Sequence, residues 1–469
     1  MKRYFLSKIK SQQYLLALGD SIVIFLSFFV TYIINFSFFV RRSYRIRFIF
    51  DRMLPWVVIL VLLYIFVFYL NDLYTRDKIK NLSRCLLTIS IYVLVISLIC
   101  SGILFFFIKY IIGRKVIIIN IPIVICLLML WRFIFVTLIL QKEKPRRLAL
   151  VGEMQTFLSF IKEFRQLEMA GFRITQIYIT MGGHINKSLL PESVTICERI
   201  SDILENLEFD ILVFDYTIEE LLDQEIRQIL QLKFQGKSIS DFPSFYEELT
   251  GKVPVNSVDS RWFIEKGEFQ GKASKAYVRI KRLLDIGCSI LLLTVTFPLF
   301  ILISIAIKFD SKGKIFFSQE RLGIMNRPFP CYKFRTMKMD AEKETGPIWS
   351  SKKDQRITRV GKTLRKTRLD ELPQLWNILK GDMSFVGSRP IRKYFADQLA
   401  KIILFYDLRF SVKPGLTGWA QVNHSYSGSK EEQVEKFQYE LFYIKNMSLF
   451  LDLFIIFKTL KTVFKREGE

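Results

Sequence analysis

Five long apolar stretches constrain this chain more than any other feature of its sequence. Four lie in the first third, at 14–40, 55–74, 85–108 and 116–140, and the fifth lies at 286–307. An α-helix rises about 1.5 Å per residue, so about 20 residues cross a hydrocarbon layer of about 30 Å. We therefore expect residues 1–144 to form a membrane domain of four transmembrane helices.

The residues that flank these stretches indicate how the membrane domain is oriented. With the N-terminus in the cytoplasm, the inner flanks carry more lysines and arginines than the outer ones. The start of the chain lacks the short apolar region and the small-residue cleavage site of a signal peptide, so we do not expect a signal peptide to be cleaved from it. Asp20 and Arg132 lie inside the first and fourth stretches. We expect an ion pair between helices, with an ion or lipid pathway as the alternative.

The fifth stretch differs from the others because both of its flanks are basic and a proline lies near its middle. Lys281 and Arg282 precede it and further lysines follow, so both ends favour the cytoplasmic side. Pro298 lacks a backbone N–H and bends a helix. We predict that 281–310 is a re-entrant helix that turns near Pro298, with a straight span as the alternative. Lys281, Arg282 and Asp285 would then lie at the headgroup level, where the cations either meet lipid phosphate or simply extend to the interface.

Charge and hydropathy limit the partners of the chain. Its 469 residues include 68 Lys and Arg against 44 Asp and Glu, a formal net charge of +24, and the mean hydropathy is +0.26. A basic and apolar chain suits an anionic membrane surface or phosphorylated ligands. It carries no zinc-finger, helix-turn-helix or RNA-binding signature, so we expect no nucleic-acid partner. Two histidines, and six cysteines without a Cys-x-x-Cys pair, argue against a zinc site or a histidine triad and leave carboxylates as candidate catalytic groups.

Residues 145–265 change to short strands that alternate with helices. Strand patterns occur at 147–152, 173–180 and 209–215, and helical patterns at 156–169 and 218–232. This alternation predicts a small parallel α/β sheet. Only Gly152 remains of a dinucleotide-type glycine pattern, so we favour a structural or dimerising role, which would include a homodimer, over cofactor binding. The small polar segment at 266–280 is the expected linker.

Two adjacent carboxylates, Asp370 and Glu371, lie in a strongly basic part of the last region, 311–469. The surrounding cations are Arg356, Arg359, Lys362, Arg365, Arg368 and Arg389. Pro373 suits the first position of a helix and Gly381 the position after its end, so we predict a helix over 373–380 with both acids at its positive end. Paired carboxylates among cations suit phosphoryl transfer through a divalent metal. The structural alternative is a solvated acidic pair neutralised by its neighbours.

Six motifs in one order make 281–465 similar to a known family. They are Lys281-Arg282 with Asp285, FSQERLG at 317–323, YKFRTM at 332–337, LDELPQL at 369–375, GDMSFVGSRP at 381–390 and KPGLTGW at 413–419. With these motifs the chain resembles the bacterial sugar transferases, the initiating phosphoglycosyl transferases of surface-polysaccharide synthesis. The resemblance extends to 145–265, which is similar to the Rossmann-like module of the larger members, and it favours a re-entrant helix with a proline. The expected architecture is therefore a membrane α-helical bundle, a Rossmann-like α/β module, a re-entrant membrane helix and a small α/β catalytic domain.

The resemblance implies a reaction as well as a fold. It implies transfer of a sugar-1-phosphate from a UDP-sugar to undecaprenyl phosphate, with release of UMP, by a catalytic domain on the cytoplasmic face of the bacterial inner membrane. Asp370 would attack the sugar-side phosphate to form a phosphosugar-aspartyl intermediate, Glu371 would assist metal binding or proton removal, and both would hold Mg²⁺. The expected substrate-binding residues are Lys333, Arg335, Arg365, Arg368, Asn377 and Arg389. The competing function is a membrane-anchored scaffold or nucleotide sensor without transferase activity.

Several of these residues have a structural alternative. An exposed strand with alternating charges would show Lys333 and Arg335 in the same pattern without any role in substrate binding. Asn377 would reach either substrate or backbone, and Arg389 would form either a phosphate clamp or a turn. Trp419 lies in a glycine-rich loop that would provide a stacking surface or only a turn. The tail at 448–465 has the pattern of a helix that lies on the membrane surface.

Overall fold

The computed structural model describes residues 4–39, 46–75, 79, 82–107, 114–140, 145–153, 157, 160, 171–179, 194–197, 199–206, 208–215, 223–255, 258, 262–263, 275–338, 356–424 and 429–465. The chain divides into two compact units, Met1–Asp241 and Phe242–Glu469. Apart from Phe157 and Phe160, the predicted helix at 156–169 lies outside the described residues, as does most of the predicted linker at 266–280.

Four apolar helices form the first part of the first unit. They are α1 (Tyr4–Phe39), α2 (Ile46–Leu70), α3 (Leu82–Phe107) and α4 (Arg114–Phe135), which continues as the π-helical Val136–Leu140. They share one apolar core, to which Leu16, Phe68, Ile89 and Leu128 belong. Within the described residues, Gln12–Ile34 and Ile118–Leu138 are long and apolar enough to span a membrane, whereas the apolar segments Leu54–Leu70 and Cys85–Ile99 are shorter. The apolar helices agree with a membrane domain, and the number of four spans stays a prediction.

The predicted pair between the first and fourth helices is present. Arg132 Nη2 lies 2.5 Å from Asp20 Oδ2, and both side chains are fully buried. Arg132 Nη1 also donates to the backbone carbonyl of Leu73 at 2.8 Å. A buried charge is tolerated in such a place because a partner of opposite charge and further hydrogen bonds compensate for its lost hydration.

A five-stranded parallel sheet forms the second part of the first unit. Its strands are β1 (Arg146–Gly152), β2 (Phe172–Ile179), β3 (Thr195–Cys197), β4 (Ile211–Phe214) and β5 (Ser238–Asp241), with α5 (Ile200–Glu205) and α6 (Asp223–Phe234) between them. The order is β3-β2-β1-β4-β5 and every pairing is parallel. Buried residues such as Ala149, Phe209 and Leu212 form its core. The predicted Rossmann-like parallel sheet is therefore confirmed.

The second unit combines helices with two small sheets. Its helices are α7 (Phe242–Thr250), α8 (Lys275–Asp310), α9 (Arg359–Thr367), α10 (Gln374–Lys380), α11 (Lys393–Ala400), α12 (Trp419–Asn423), α13 (Lys430–Lys445) and α14 (Leu449–Lys465). Strands β6 (Phe316–Leu322) and β7 (Pro328–Phe334) pair antiparallel, and β8 (Ser384–Val386) pairs with β9 (Gly415–Thr417) in parallel.

The segment that follows the parallel sheet packs with the second unit. Lys445 Nζ lies 2.6 Å from Glu247 Oε2, and Lys252 Nζ lies 2.6 Å from Glu435 Oε1. From the sequence, residues 242–255 were expected in the α/β module at 145–265, whereas these ion pairs join α7 and the residues after it to α13. Ion pairs between residues far apart in sequence decide where one unit ends and the next begins, and composition does not reveal such pairs.

Helix α8 is one continuous helix of 36 residues. It runs through Pro298 without interruption, in contrast to the predicted turn, although the proline lacks one backbone donor. Leu293 and Phe300, on either side of the proline, both pack against apolar clusters of the second unit and hold the helix in place there. Whether α8 spans the membrane or re-enters it remains a prediction.

Candidate active site

The two acids lie in a tight turn that the sequence did not predict. A 3-10 turn, Leu369–Glu371, precedes α10, and Asp370 and Glu371 are each 7% exposed. Helix α10 itself matches the prediction, since Pro373 precedes its first residue and Gly381 ends it with φ +100°. The acids lie in the turn before the first residue of α10, so their stabilisation by this helix start stays a prediction. Side chains compensate the charge of Glu371 directly.

Glu371 is held by two cations. Its Oε1 accepts a hydrogen bond from Arg389 Nη2 at 2.7 Å and from Lys333 Nζ at 2.9 Å. Burial of the carboxyl opposes ionisation, but the charges and hydrogen bonds of Arg389 and Lys333 outweigh it and hold the pKa of Glu371 well below its usual value. Glu371 is therefore an ionised, fixed group, and the solvated acidic pair considered as an alternative is not what the structure contains.

Asp370 has a different environment from its neighbour. Lys333 Nζ approaches Asp370 Oδ2 only to 4.0 Å, which is a looser contact than either cation makes with Glu371. Burial raises the pKa of Asp370; Lys333 lowers it, and the adjacent charge of Glu371 raises it. Two neighbouring carboxyls whose pKa values are pushed apart are suited to separate chemical roles.

Of the other predicted cations, Arg335 points away from the acids. Its guanidinium donates to the carbonyls of Ser311 and Lys312, both at 2.6 Å, and fixes the end of α8. Arg335 directly follows β7, and because its guanidinium is held by the carbonyls of Ser311 and Lys312 it does not join Lys333 at the acid pair; its role in substrate binding stays a prediction. Arg365 Nε donates to Thr336 Oγ1 at 2.9 Å, and its charge lowers the pKa of Asp370 by less than that of Lys333 does.

Arg368 and Asn377 shape the backbone around the acids. Arg368 has φ +60°, a left-handed conformation that turns the chain from α9 into the acidic turn. Asn377 is fully buried, donates to the Pro330 carbonyl at 2.7 Å and accepts from the Tyr332 N–H at 3.0 Å. Of the two alternatives for Asn377, the structure contains the backbone contact. It joins α10 to β7 and so brings Lys333 to the acidic turn.

The three residues expected at the lipid headgroups make contacts inside the second unit. Lys281 lies 2.7 Å from Asp452, and Arg282 donates to the carbonyls of Ile378 and Leu379 at 2.5 and 2.7 Å. Asp285 accepts the N–H of Phe385 at 3.1 Å. These contacts attach the start of α8 to α14, α10 and β8.

Trp419 is buried and does not form an open stacking surface. Its Nε1 donates to the Gly251 carbonyl at 2.9 Å, and its ring stacks on Phe442 with centroids 5.6 Å apart. The glycine-rich loop before it forms β9 against β8. Of the two alternatives for this loop, the structure contains the packed turn, because the Trp419 ring is buried against Phe442.

The sequence did not single out a buried network behind Arg389. Arg409 donates to the Arg389 carbonyl and to Glu440 Oε1, both at 2.9 Å, and also binds the hydroxyl of Tyr406. Burial lowers the pKa of nearby Lys436 to about 8; Glu440 opposes this effect, and Arg409 adds to it. Apart from Arg389, the residues of this network lie outside the six motifs, and a single arginine in an apolar context gives no sequence signal of its partner.

The acid pair fits a magnesium ion that shares its ligands with a substrate. Mg²⁺ prefers carboxylate oxygens and commonly takes one or two of them together with substrate phosphates and water. Among the described residues, no group of three His, Cys, Asp or Glu side chains lies close enough to hold a metal. Asp370 and Glu371 supply two carboxylates, and Oε1 of Glu371 already accepts hydrogen bonds from Lys333 and Arg389. The pair is thus suited to a metal bound jointly with phosphate.

A buried carboxylate pair between cations, on a unit that carries a long apolar helix, is typical of a membrane-associated enzyme that acts on phosphates. The family model for bacterial sugar transferases matches residues 276–466. The chain belongs to the bacterial sugar transferase family.

Three relatives have similar sequences. The chain is 37% identical over 257 residues to UDP-N-acetylgalactosamine-undecaprenyl-phosphate N-acetylgalactosaminephosphotransferase of Aeromonas hydrophila, which covers 55% of this chain and 59% of that protein. It is 33% identical to UDP-glucose:undecaprenyl-phosphate glucose-1-phosphate transferase of Klebsiella pneumoniae, over 67% of each chain. It is 31% identical to undecaprenyl-phosphate galactose phosphotransferase of Salmonella typhimurium, over 69% of each chain. The predicted family and the predicted class of enzyme, a phosphoglycosyl transferase, are confirmed.

Proposed function

We propose that this protein transfers a sugar-1-phosphate from a UDP-sugar to undecaprenyl phosphate and releases UMP. The observation that carries the proposal is the unequal pair of acids, in which Glu371 is bound by Lys333 and Arg389 while Asp370 keeps a looser contact with Lys333. The names of the three relatives, each an undecaprenyl-phosphate sugar-phosphate transferase, support the same reaction.

The first step forms a covalent intermediate on Asp370. An oxygen of its carboxylate attacks the sugar-side phosphorus of the UDP-sugar, and the bond from this phosphorus to the bridging oxygen breaks. UMP leaves with the bridging oxygen and its electron pair. Asp370 suits this role because it is buried, raised in pKa and not neutralised by a close ion pair, so its ionised form is a stronger nucleophile than an ordinary aspartate.

In the second step, undecaprenyl phosphate replaces Asp370. A phosphate oxygen of the lipid attacks the same phosphorus, and the bond to the aspartyl oxygen breaks. The product is undecaprenyl-diphosphate-sugar, and the Asp370 carboxylate is restored. This would be the first membrane step in the synthesis of a surface polysaccharide.

The cations around the pair stabilise charge on the transferred phosphate. Lys333 and Arg389 are fixed by Glu371, so they need no reorganisation when negative charge develops nearby. Asp370 and Glu371 would hold Mg²⁺ together with the substrate, and the ion would offset phosphate charge. Glu371 acts mainly by holding both cations in place.

The exposed surface of the second unit supports a position at the membrane. One face of α8, with Asp285, Ser289, Ile303 and Ile307 buried, packs on the unit at both ends of the helix. A helix whose two ends both pack on one unit keeps those ends on the same side of the membrane, which favours a re-entrant arrangement on the cytoplasmic face of the inner membrane. The tail helix α14 adds an exposed apolar stripe at Phe450, Leu453, Phe457, Leu460 and Val463, with the spacing of a surface helix.

The released nucleotide tests this proposal. Membranes that contain the protein are incubated with Mg²⁺, undecaprenyl phosphate and, in separate reactions, UDP-glucose, UDP-galactose or UDP-N-acetylgalactosamine. We expect UMP release and a labelled lipid with one of the three sugars. Release of UDP would identify a glycosyltransferase that transfers sugar without phosphate, and no release would favour the scaffold or sensor function.

A further inference from the structure

The parallel sheet of the first unit has a place where ligands bind in folds of this kind. The strand order β3-β2-β1-β4-β5 changes direction between β1 and β4. In open parallel α/β sheets, the crevice outside the carboxyl ends of the strands at such a switch point is the usual ligand site. Gly152 ends β1, and Asp215 directly follows β4 at the same edge.

Asp215 is a buried carboxylate whose relative exposure is 1%. Among the described residues, neither its Oδ1 nor its Oδ2 has a hydrogen-bond partner. Its backbone is fixed, since its N–H donates to the Val151 carbonyl at 2.9 Å. Burial of a carboxyl without hydrogen bonds is unfavourable, and native proteins seldom keep one without a function.

The opposite end of the same strand shows how this sheet treats an ordinary aspartate. Asp210, just before β4, accepts the Arg147 N–H at 2.8 Å, and its carboxylate also lies 3.7 Å from the Arg147 guanidinium. Its side chain is 43% exposed. Asp215, at the carboxyl edge, is 1% exposed and has no hydrogen-bond partner in the described part of the chain, which distinguishes it from the structural aspartate Asp210.

Gly152 makes the position of Asp215 possible. It has φ +152°, and a Cβ at this residue would lie 2.4 Å from the Cβ of Asp215 and 3.2 Å from the Phe157 ring. Any side chain larger than hydrogen would therefore displace Asp215. The one glycine left from the dinucleotide-type pattern thus has a specific role, which is to let the carboxylate lie across the end of β1.

We propose that Asp215 is the anchor of a second ligand site, on the first unit, that takes the ribose of a nucleoside or nucleotide. Two carboxylate oxygens side by side accept two hydrogen bonds from adjacent donors, and the vicinal hydroxyls of ribose are such a pair. This site differs in residues and in unit from the acids of the transferase site, and it would make the middle module a nucleotide sensor rather than a purely structural one.

The test measures nucleotide binding to the full chain in lipid nanodiscs. The probes are ADP, UDP and their 2′,3′-dideoxy forms. We expect at least one ribonucleotide to bind, and its dideoxy form to bind about tenfold more weakly or worse. Asp215→Asn should weaken ribonucleotide binding by about the same factor, whereas the matched variant Asp210→Asn should bind as the wild type does. If UDP binds only at the transferase site, Asp215→Asn should leave its affinity unchanged. This variant therefore distinguishes binding at the transferase site from binding at the Asp215 site.

A stability measurement keeps the proposal falsifiable if the binding variants behave poorly. Without nucleotide, Asp215→Leu should unfold at the same temperature as the wild type or higher, because it removes an unpartnered buried carboxyl. An unfolding temperature of Asp215→Leu below that of the wild type would assign Asp215 a structural role and overturn the proposal. The proposal would also be overturned if neither ribonucleotide bound at millimolar concentration. Equal affinity of the dideoxy forms, or equal affinity of Asp215→Asn for the ribonucleotide, would overturn it as well.

Discussion

Arg409 holds the backbone of Arg389 through a hydrogen bond of 2.9 Å from its Nη2 to the Arg389 carbonyl. Arg389 in turn contacts Glu371 at 2.7 Å, so a buried arginine supports the cation that fixes one acid of the active site. Arg409 is itself paired with Glu440 at 2.9 Å, and both side chains are almost completely buried. Residues from three separate stretches of the chain thus determine where the positive charge lies.

Arg409→Met should reduce both stability and activity. It leaves Glu440 buried without its partner, so the free energy of unfolding should fall by about 3 kcal/mol. It also releases the Arg389 carbonyl, so kcat should fall more than the affinity for UDP-sugar. Denaturant unfolding and steady-state kinetics measure the two effects.

The surface pair Lys393–Asp397 provides a matched control. Its side chains are 71% and 56% exposed, so Lys393→Met should change the free energy of unfolding by no more than about 0.5 kcal/mol. The double variant Arg409→Met with Glu440→Leu should recover stability without recovering kcat. Full activity in Arg409→Met would show that Arg409 has no positioning role.

Glu371→Gln should destabilise the protein at neutral pH. Because the pKa of Glu371 is lowered in the folded state, its stabilising contribution is present above the unfolded pKa of about 4.3 and is lost as the pH falls towards the folded value. The difference in unfolding temperature between wild type and Glu371→Gln should therefore shrink in acid. A constant difference across the pH range would show that the ion pairs with Lys333 and Arg389 do not cause it.

Asp370→Asn should behave in the opposite way. The pKa of Asp370 is raised, so the neutral carboxyl is favoured on folding; that contribution is fully present below the unfolded pKa and is lost as the pH rises through the folded value. At neutral pH, Asp370→Asn should unfold at the same temperature as the wild type or higher, while catalysis is lost. Thermal unfolding across the acid-to-neutral range checks this, and a loss of stability as large as that of Glu371→Gln would contradict it.

The two ends of α8 should be accessible from the same side of the membrane. Val278 and Phe309 lie near its ends and are 54% and 89% exposed, and Leu291 lies between them. In a variant without native cysteines, Val278→Cys and Phe309→Cys should both react with an impermeant maleimide in inverted vesicles, and Leu291→Cys should react in neither orientation. Labelling of the two end positions from opposite sides would establish a full span.

Local patterns predicted the secondary structure well where one segment determines it. The alternation of apolar residues located β1, β2 and β4, and Pro373 with Gly381 fixed the bounds of α10, since these depend on propensity and backbone conformation. The acidic turn was missed because Arg368 adopts a left-handed conformation that glycine would have signalled and arginine does not.

The sequence did not predict the contacts between segments that are distant along the chain. Lys333 in β7 and Arg335 just after it look equivalent in the sequence, yet Lys333 reaches Glu371 and Arg335 reaches the Ser311 carbonyl just after α8. Lys281 and Arg282 suggested lipid contact but bind Asp452 and α10. In each case the tertiary partner decides the role of a charged side chain, and one sequence does not identify that partner.

Transfer of label from substrate to protein tests the central claim most directly. The purified protein is incubated with Mg²⁺ and a UDP-sugar that carries radioactive phosphorus in its sugar-side phosphate, without undecaprenyl phosphate, and the labelled peptide is identified. We predict that label appears on the peptide containing Asp370 together with released UMP, that undecaprenyl phosphate removes it, and that Asp397→Asn but not Asp370→Asn retains it. Turnover without any labelled protein, or label that persists in Asp370→Asn, would contradict the account.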